Sequence, residues 1–343
     1  MELLLVSRGT RMGRENECFV VSSSDGCRRV PAAGVSSISL GRGVSVTSDA
    51  LFLAIERGIP VVLIERSGAP AGRVWSAAYG SISTIRKGQL VFASGRGAVT
   101  WIKDTLVRKI GNQLALISIL PPLMRVADSP TPEADAMRID GARAACVRRM
   151  ERMRDNISSA EADSVADVAA SLRGWEGAAS KSYFEAVNLF LPQPFRFERR
   201  SQHPARDVAN AMLNYAYGIL YAKVEAALVI AGIDPYVGVL HRDEYNRPVL
   251  AYDVIEVFRV WADYVVFSLL GQRAVNEDFA TSEADGSVWL DDAGRRAVAQ
   301  SLTDYLDEVV DFGGLRRGRA THIGLYASRL ADTMRACVTA TGG

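Results

Sequence analysis

The stretch GRGAVTWIKDTLVRKIGNQLALISILPP, residues 95–122, divides the chain into two parts of different character. Within it, apolar residues recur at helical spacing along one face, at Leu106, Ile110, Leu114 and Ile117. The pair Pro121-Pro122 marks the end of this predicted helix, because proline cannot continue a helix. The sequence that follows keeps the helical period and predicts further helices over 132–154, 159–191, 205–231, 250–271, 292–310 and 320–338.

The residues before this stretch have the composition of short strands separated by turns. Runs rich in Val, Ile and Leu alternate with Gly, Ser, Asp and Arg, at Glu2–Val6, Cys18–Val21, Val35–Leu40, Val44–Thr47 and Ile59–Ile64. A capped helix is predicted between Ser48 and Gly58. The sequence therefore predicts an α+β protein. A small β-rich N-terminal domain (1–90) and a linker (91–97) precede a larger all-helical domain (98–343).

Composition indicates a globular protein with no general excess of charge. The chain has 343 residues, of which 48% are hydrophobic and 23% are charged, which excludes a largely disordered chain. The net charge of +1 means that any site for a polyanion must be local. The longest apolar stretch, Leu114–Met124, contains the proline pair and is too short to span a membrane. The N-terminus is apolar for only four residues and has no basic start, so we expect no signal peptide and a cytoplasmic protein.

Carboxylates and one histidine are the candidates for catalysis. The chain has three histidines and none of the common phosphate-loop, serine-nucleophile or zinc-protease motifs. His241 follows a turn, and Asp253 and Glu256 lie three residues apart, on one face of a predicted helix. Glu176 lies on another predicted helix, among small residues. Oxygen ligands with one imidazole suit Mg²⁺ or Mn²⁺. An exposed acidic face and a structural turn histidine remain the alternative interpretation.

Arginines interleave with aromatic residues before helix 205–231. The segment holds two phenylalanines and four arginines that could clamp DNA phosphates, Arg196, Arg199, Arg200 and Arg206. The alternative is a solvated loop with two buried phenylalanines. A separate basic cluster, Arg316–Arg319, is predicted to lie in a turn before the last helix.

Four ordered segments resemble the CRISPR-associated integrase family, the catalytic subunit of the spacer-acquisition complex. They are WEGAASKSYF (175–184), RR (199–200) with DVANAMLNYAYG (207–218), AGIDPYVGVLH (231–241) and RPVLAYDVIEVFR (247–259). They are similar to the family's E-G-x-x-A, R-R with D-x-x-N-A-x-L-N-Y-x-Y, A-G-L-D-P-x-x-G-F-L-H and R-P-S-L-x-x-D-L-x-E-x-F-R patterns. Weaker similarity covers most of the chain and includes KIGNQ (109–113).

The resemblance implies a function and a set of site residues. It places the family's metal ligands on Glu176, His241 and Asp253, and its fourth acidic position on Glu256. The implied activity is that of an endonuclease and integrase using Mg²⁺ or Mn²⁺, which inserts DNA fragments into a CRISPR array by 3′-hydroxyl attack. The implied partners are double-stranded DNA, a second copy of the chain and a small ferredoxin-like CRISPR adaptation subunit. We expect the second copy to bind through residues 1–90.

Two other classes of protein compete with this interpretation. One is a non-catalytic DNA-binding scaffold subunit of the same complex, and the other is a metal phosphohydrolase that acts on small substrates. Retention of all four acidic and imidazole positions favours a catalytic subunit over a scaffold. The arginine-rich loop favours DNA over a small substrate.

Overall fold

The structure is a computed structural model. It describes residues 2–24, 26–35, 37–66, 70–74, 82–123, 132–202, 204–241, 247–272, 274–275 and 277–340. Among these residues, no helix has both the length and the apolar character needed to cross a bilayer.

The N-terminal part contains two four-stranded sheets. In chain order its elements are β1 (Glu2–Leu5), β2 (Arg11–Glu15), β3 (Cys18–Ser23), β4 (Gly26–Pro31), β5 (Ser37–Leu40), β6 (Ser45–Val46), α1 (Ser48–Glu56), β7 (Val61–Ile64) and β8 (Pro70–Val74). One sheet has the strand order β1-β5-β7-β8 and the other β4-β3-β2-β6. Thr47 caps α1 by accepting a hydrogen bond from the Ala50 amide. The predicted strands and helix are confirmed, and β2, β4 and β8 are additional.

The core of this part is made by apolar side chains from both sheets and from α1. The largest are fully buried, and they are Leu3, Met12, Phe19, Ile38 and Leu53. In the first sheet, β1 pairs with β5 and β5 pairs with β7, both in parallel. Parallel neighbours have to be joined by crossover connections. The crossover between β5 and β7 contains α1, which covers part of the core.

The C-terminal part is mostly helical, and α6 lies at its centre. Its helices are α2 (Ile82–Ser94), α3 (Arg96–Leu123), α4 (Pro132–Ser159), α5 (Val165–Asn188), α6 (Val208–Ile230), α7 (Val249–Ile255), α8 (Arg259–Gly271), α9 (Asp292–Asp307) and α10 (Arg319–Ala340). Apolar residues of α6 are buried on nearly every side, which is typical of a helix enclosed by others. The predicted α+β class is confirmed: a small β-rich part precedes a larger helical one.

The structure differs from the prediction in the helical part in two respects. The described residues include two short hairpins, formed by β9 (Ala280–Ser282) with β10 (Val288–Leu290) and by β11 (Val309–Phe312) with β12 (Leu315–Gly318). Arg316 and Arg317 therefore lie on strand β12 and not in a turn. The single helix predicted over 250–271 is two helices, because residues 256–258 form a tight turn between α7 and α8.

The predicted linker, residues 91–97, lies within α2 and α3, which are separated at Gly95. Helix α2 packs against α10, and Gly88 of α2 lies so close that an added Cβ would fall 1.9 Å from the Met334 carbonyl oxygen. A glycine is needed there because any side chain would collide with backbone. Helix α2 is thus part of the helical body. The division into domains at 1–90, 91–97 and 98–343 stays a prediction about folding units.

The two parts of the chain meet along α6. Arg73 of β8 forms an ion pair with Glu225 of α6. Val62 and Ile64 of β7 pack on Ala222 of the same helix. Beside this contact lies a cleft of about 1160 Å³ that residues of both parts line. Of the predicted site residues, His241, Glu256 and Arg200 line this cleft.

Candidate metal centre

Asp253 is held by the loop that carries His241. Its Oδ2 accepts hydrogen bonds from the amides of Val239 (2.8 Å) and Leu240 (3.1 Å). Its Oδ1 accepts one from the His241 amide (3.2 Å) and lies 2.6 Å from the His241 ring nitrogen Nδ1. The carboxyl group is 0% exposed. Both oxygens of Asp253 are thus committed to shaping the loop and orienting the imidazole.

His241 is consequently held in one orientation at the cleft. When Nδ1 donates to Asp253, the lone pair of Nε2 is left for a metal, the arrangement by which carboxylates orient metal-binding histidines. The side chain is 41% exposed and lines the cleft. Burial lowers the pKa of His241, but the hydrogen bond and the charge of Asp253, aided by Glu256 and Glu176, outweigh this and raise it.

Glu176 of α5 and Glu256 meet at the ammonium group of Lys109 from α3. Lys109 Nζ contacts Glu176 Oε1 and lies 2.6 Å from Glu256 Oε2. Ser180, one turn after Glu176, also donates to Glu176 Oε1 (2.7 Å). Burial opposes the charge of Glu176, but Lys109 and Ser180 lower its pKa to about 2. The pKa of Lys109 is raised because both carboxylates outweigh the effect of its burial.

Glu256 is positioned from its other side by Arg259. Arg259 Nη1 donates to Glu256 Oε1 (2.9 Å), and the guanidinium lies 4.4 Å from the centroid of the Tyr217 ring. The remaining oxygen, Oε2, is buried and faces the ammonium group of Lys109 at 2.6 Å. A carboxylate that already faces a cation, at a cleft that the His241 imidazole also lines, suits a divalent cation.

The four predicted residues thus form two pairs. Among the described residues, no three acidic, His or Cys side chains converge on a single point in the manner of a complete metal shell. The pairs are close neighbours: His241 and Glu256 both line the cleft, and the charges of Glu256 and Glu176 act on the His241 imidazole. The donor set suits Mg²⁺ or Mn²⁺, with Lys109 between the two glutamates.

Residues that the sequence analysis did not assign hold this centre in place. Gln89 of α2 donates to the carbonyls of Asp234 (2.7 Å) and Val237 (3.2 Å) and accepts from the Asp234 amide (3.0 Å). It therefore orders the loop before His241. Lys109 and Arg259 lie inside segments that carry the family resemblance, so their positions were visible in the sequence while their contacts were not.

The four predicted DNA-binding arginines have different environments. Arg196, Arg199 and Arg206 are exposed, although Arg196 donates to the Leu191 carbonyl (3.0 Å) and Arg206 to the Asp285 carbonyl (2.6 Å). Arg200 instead lies at the wall of the cleft and donates to the side-chain oxygens of its neighbours Asn210 (2.7 Å) and Asn214 (2.6 Å). Its donors are largely used within the chain, which is typical of a structural arginine.

Comparison with known proteins gives consistent similarities over nearly the whole chain. Residues 3–304 match the family described as CRISPR associated protein Cas1. A CRISPR-associated endonuclease Cas1 from Archaeoglobus fulgidus is 29% identical over 343 residues, which are 98% of this chain and 96% of the relative. One from Rhodospirillum rubrum is 30% identical over 301 residues, 86% of this chain and 83% of the relative.

Solved structures show the same fold. A casposase bound to integration product matches with a TM-score of 0.77 and 19% identity, over 98% of this chain and 90% of that one. A chain of a Cas6-RT-Cas1–Cas2 complex matches with a TM-score of 0.75 and 21% identity. The match covers 98% of this chain but 35% of that longer one.

Proposed function

Because the chain belongs to the Cas1 family of CRISPR-associated proteins, we propose that it is a divalent-metal-dependent DNA endonuclease and integrase that inserts DNA fragments into a CRISPR array. The observation that carries the proposal is the orientation of His241. Asp253 holds the ring through Nδ1, which leaves Nε2 for a metal, and both His241 and Glu256 line the cleft. Curated relatives named as endonucleases and a casposase with the same fold support this activity.

We propose that Glu176, His241 and Glu256 would hold the cation, although these side chains do not converge on one point in the structure, and that Asp253 has a positioning role. The resemblance alone favours Asp253 as a direct ligand. However, its carboxylate is fully buried and accepts from three backbone amides and an imidazole. A metal reaching it would have to replace these bonds, whereas at Glu256 Oε2 it meets only the ion-pair contact with Lys109.

The mechanism follows from what these residues do around the cleft. A bound Mg²⁺ or Mn²⁺ would polarise the scissile phosphodiester and stabilise the negative charge that develops on its oxygens. Asp253 keeps the His241 ring in one orientation and one tautomer. Arg259 restrains the Glu256 carboxylate through Oε1, while Oε2 faces Lys109. With a DNA 3′-hydroxyl as nucleophile the reaction is strand transfer, and with water it is cleavage.

The DNA backbone would be held by exposed arginines near the cleft. Arg196, Arg199 and Arg206 are the candidates, because all three residues are exposed. Arg200, by contrast, organises the wall of the cleft. Each phosphate contact that is removed should reduce the slope of log affinity against log salt by about one.

Assembly with other subunits is the second part of the proposal. Joining both ends of a fragment takes two active sites, so we propose a homodimer through residues 1–90 that works with a small ferredoxin-like adaptation subunit. A solved chain of the same fold comes from a complex with Cas2, which supports an adaptation partner. Light scattering of the full-length protein tests the dimer, and a monomer at micromolar concentration would contradict it.

The activity is tested on branched DNA with Mn²⁺. We expect His241→Ala and Glu256→Gln each to remove cleavage and strand transfer while DNA binding persists. The control is His322→Ala, because His322 is the other described histidine and contacts the Val310 carbonyl, not the centre. Wild-type DNA binding without any metal-dependent cleavage would identify a scaffold subunit. Hydrolysis of a small phosphodiester alone would identify a phosphohydrolase.

A further inference from the structure

Lys109 occupies an unusual position for a lysine. Its side chain is 3% exposed, and its ammonium group contacts two carboxylates from different segments, Glu176 on α5 and Glu256 just after α7. Lysine is rarely buried to this extent unless it is paired, because removing an ammonium group from water is costly. Here it is paired twice, so the single charge of Lys109 reduces the repulsion between two acids.

We propose that Lys109 is a built-in counter-cation of the centre, and that a divalent cation binding to Glu176 and Glu256 competes with its ammonium group for their oxygens. The inference rests on the proposed metal site and adds to it a residue that sets the affinity. Glu176 Oε1 and Glu256 Oε2 are the oxygens that Lys109 contacts, and Oε2 is the atom assigned above to the metal. A carboxylate oxygen that binds the metal ion must therefore weaken its contact with the Lys109 ammonium group.

The charges around the site support competition and not cooperation. Arg259 is a second buried cation, and it already donates to Glu256 Oε1 (2.9 Å). With Lys109 and Arg259 both present, the two glutamates are fully neutralised before any metal is added. A divalent ion then brings two further positive charges close to an ammonium group, and like charges a few ångströms apart repel strongly when they are shielded from water.

The test compares Lys109→Met with a matched control. Methionine keeps the length of the side chain and removes its charge. The control is Lys103→Met, since Lys103 lies on the same helix and donates to the Ala160 carbonyl instead of a carboxylate. Melting is followed in EDTA and in Mn²⁺, and Mn²⁺ binding is measured by isothermal titration calorimetry on the full-length protein.

We expect Lys109→Met to melt about 5–10 °C below the wild type in EDTA, since two buried carboxylates lose their counter-ion. We expect it to bind Mn²⁺ at least about 10-fold more tightly and to gain more from Mn²⁺ in its melting temperature than the wild type does. Lys103→Met should match the wild type in Mn²⁺ affinity. Equal or weaker Mn²⁺ binding by Lys109→Met overturns the competition.

A double variant keeps the proposal testable when Lys109→Met folds poorly. Lys109→Met combined with Glu256→Gln removes one charge of each sign, so the double variant should melt higher than the single one in EDTA. A double variant no more stable than Lys109→Met refutes the counter-cation role. Failure of the wild type to bind Mn²⁺ in any condition refutes the metal site itself, and the EDTA melting temperatures then still decide the role of Lys109.

Discussion

Replacing Asp253 by asparagine tests how the centre is built. The change keeps the size of the side chain but removes its charge, and it turns one acceptor into an amide donor. In the structure, Asp253 Oδ2 accepts from two amides and Oδ1 accepts from His241. Asparagine has a single side-chain oxygen, so it can accept the hydrogen bonds of only one of these two carboxylate oxygens. On the side that is given up, two buried donors lose their acceptor at about 1–3 kcal/mol each, so we expect a loss of about 2–6 kcal/mol in unfolding free energy.

The loss is measured by urea unfolding, together with Mn²⁺ binding by calorimetry. Because Asp253 orients His241, we expect Mn²⁺ affinity to fall about 10- to 100-fold. The control is Asp311→Asn, an exposed carboxylate that accepts from the Gly314 amide (3.1 Å) and should change stability by less than about 0.5 kcal/mol.

Two results would refute this reasoning in different ways. A variant as stable as the wild type, with unchanged Mn²⁺ affinity, would mean that Asp253 holds neither the loop nor the ring. Loss of Mn²⁺ binding at unchanged stability would instead identify Asp253 as a direct ligand, the role that the family resemblance alone implies. That role also predicts an intact fold for Asp253→Ala, whereas the structure predicts a destabilised one.

Three further outcomes follow from other parts of the molecule. Gly88→Ala should lower the unfolding free energy by about 2–3 kcal/mol, because its Cβ would meet backbone, while Gly141→Ala, with no atom within 4 Å, should be neutral or stabilising in the same urea titration. Glu176 has its pKa lowered from 4.5 to about 2, so its contribution to stability is complete above pH 4.5 and is lost as the pH falls toward 2. Melting at pH 6 and pH 3 should therefore show a difference between wild type and Glu176→Gln that shrinks in acid. Arg200→Ala should cost about 2–4 kcal/mol by urea unfolding, and Arg199→Ala should leave stability unchanged and flatten the salt dependence of DNA binding in a filter or anisotropy titration.

The helices were predictable because their signal is local. Apolar residues at helical spacing gave the position of α3, and its end at Leu123 lies close to the predicted stop at Pro121-Pro122. The hairpin of β11 and β12 also has a local signal that the helical interpretation missed. Gly313 and Gly314 both have positive φ angles, 64° and 77°, and a Gly-Gly pair between two short strands favours a tight hairpin turn.

The break between α7 and α8 was not predictable from neighbouring residues. Phe258 closes the turn by donating to the Ile255 carbonyl (2.8 Å), and the Val257 carbonyl accepts from Asn112 of α3 (3.0 Å). A side chain 145 positions away thus satisfies the carbonyl that the turn leaves free. Because residues 256–258 include no Gly or Pro to mark a break, only the tertiary contact shows why the helix ends.

The sequence was sufficient to identify the residues of the site, but not the role that each of them has. Spacing and resemblance identified Glu176, His241, Asp253 and Glu256. They could not show that Asp253 faces three amides, because those bonds depend on the path of the loop after α6. The pairing of Lys109 with Glu176 joins positions 67 residues apart, and no local pattern records such a contact.

The close packing of α2 on α10 has a consequence for synthesis of the protein. The strands of the N-terminal part are complete once residue 74 has left the ribosome, so this part can fold early. Helix α2 must wait for α10, which begins at Arg319. At about 5–20 residues per second, ribosomes need about 10–50 s to cover that interval. During this time the face of α2 around Gly88 has no native partner, and a nascent chain that stalls before Arg319 presents that face to chaperones and proteases.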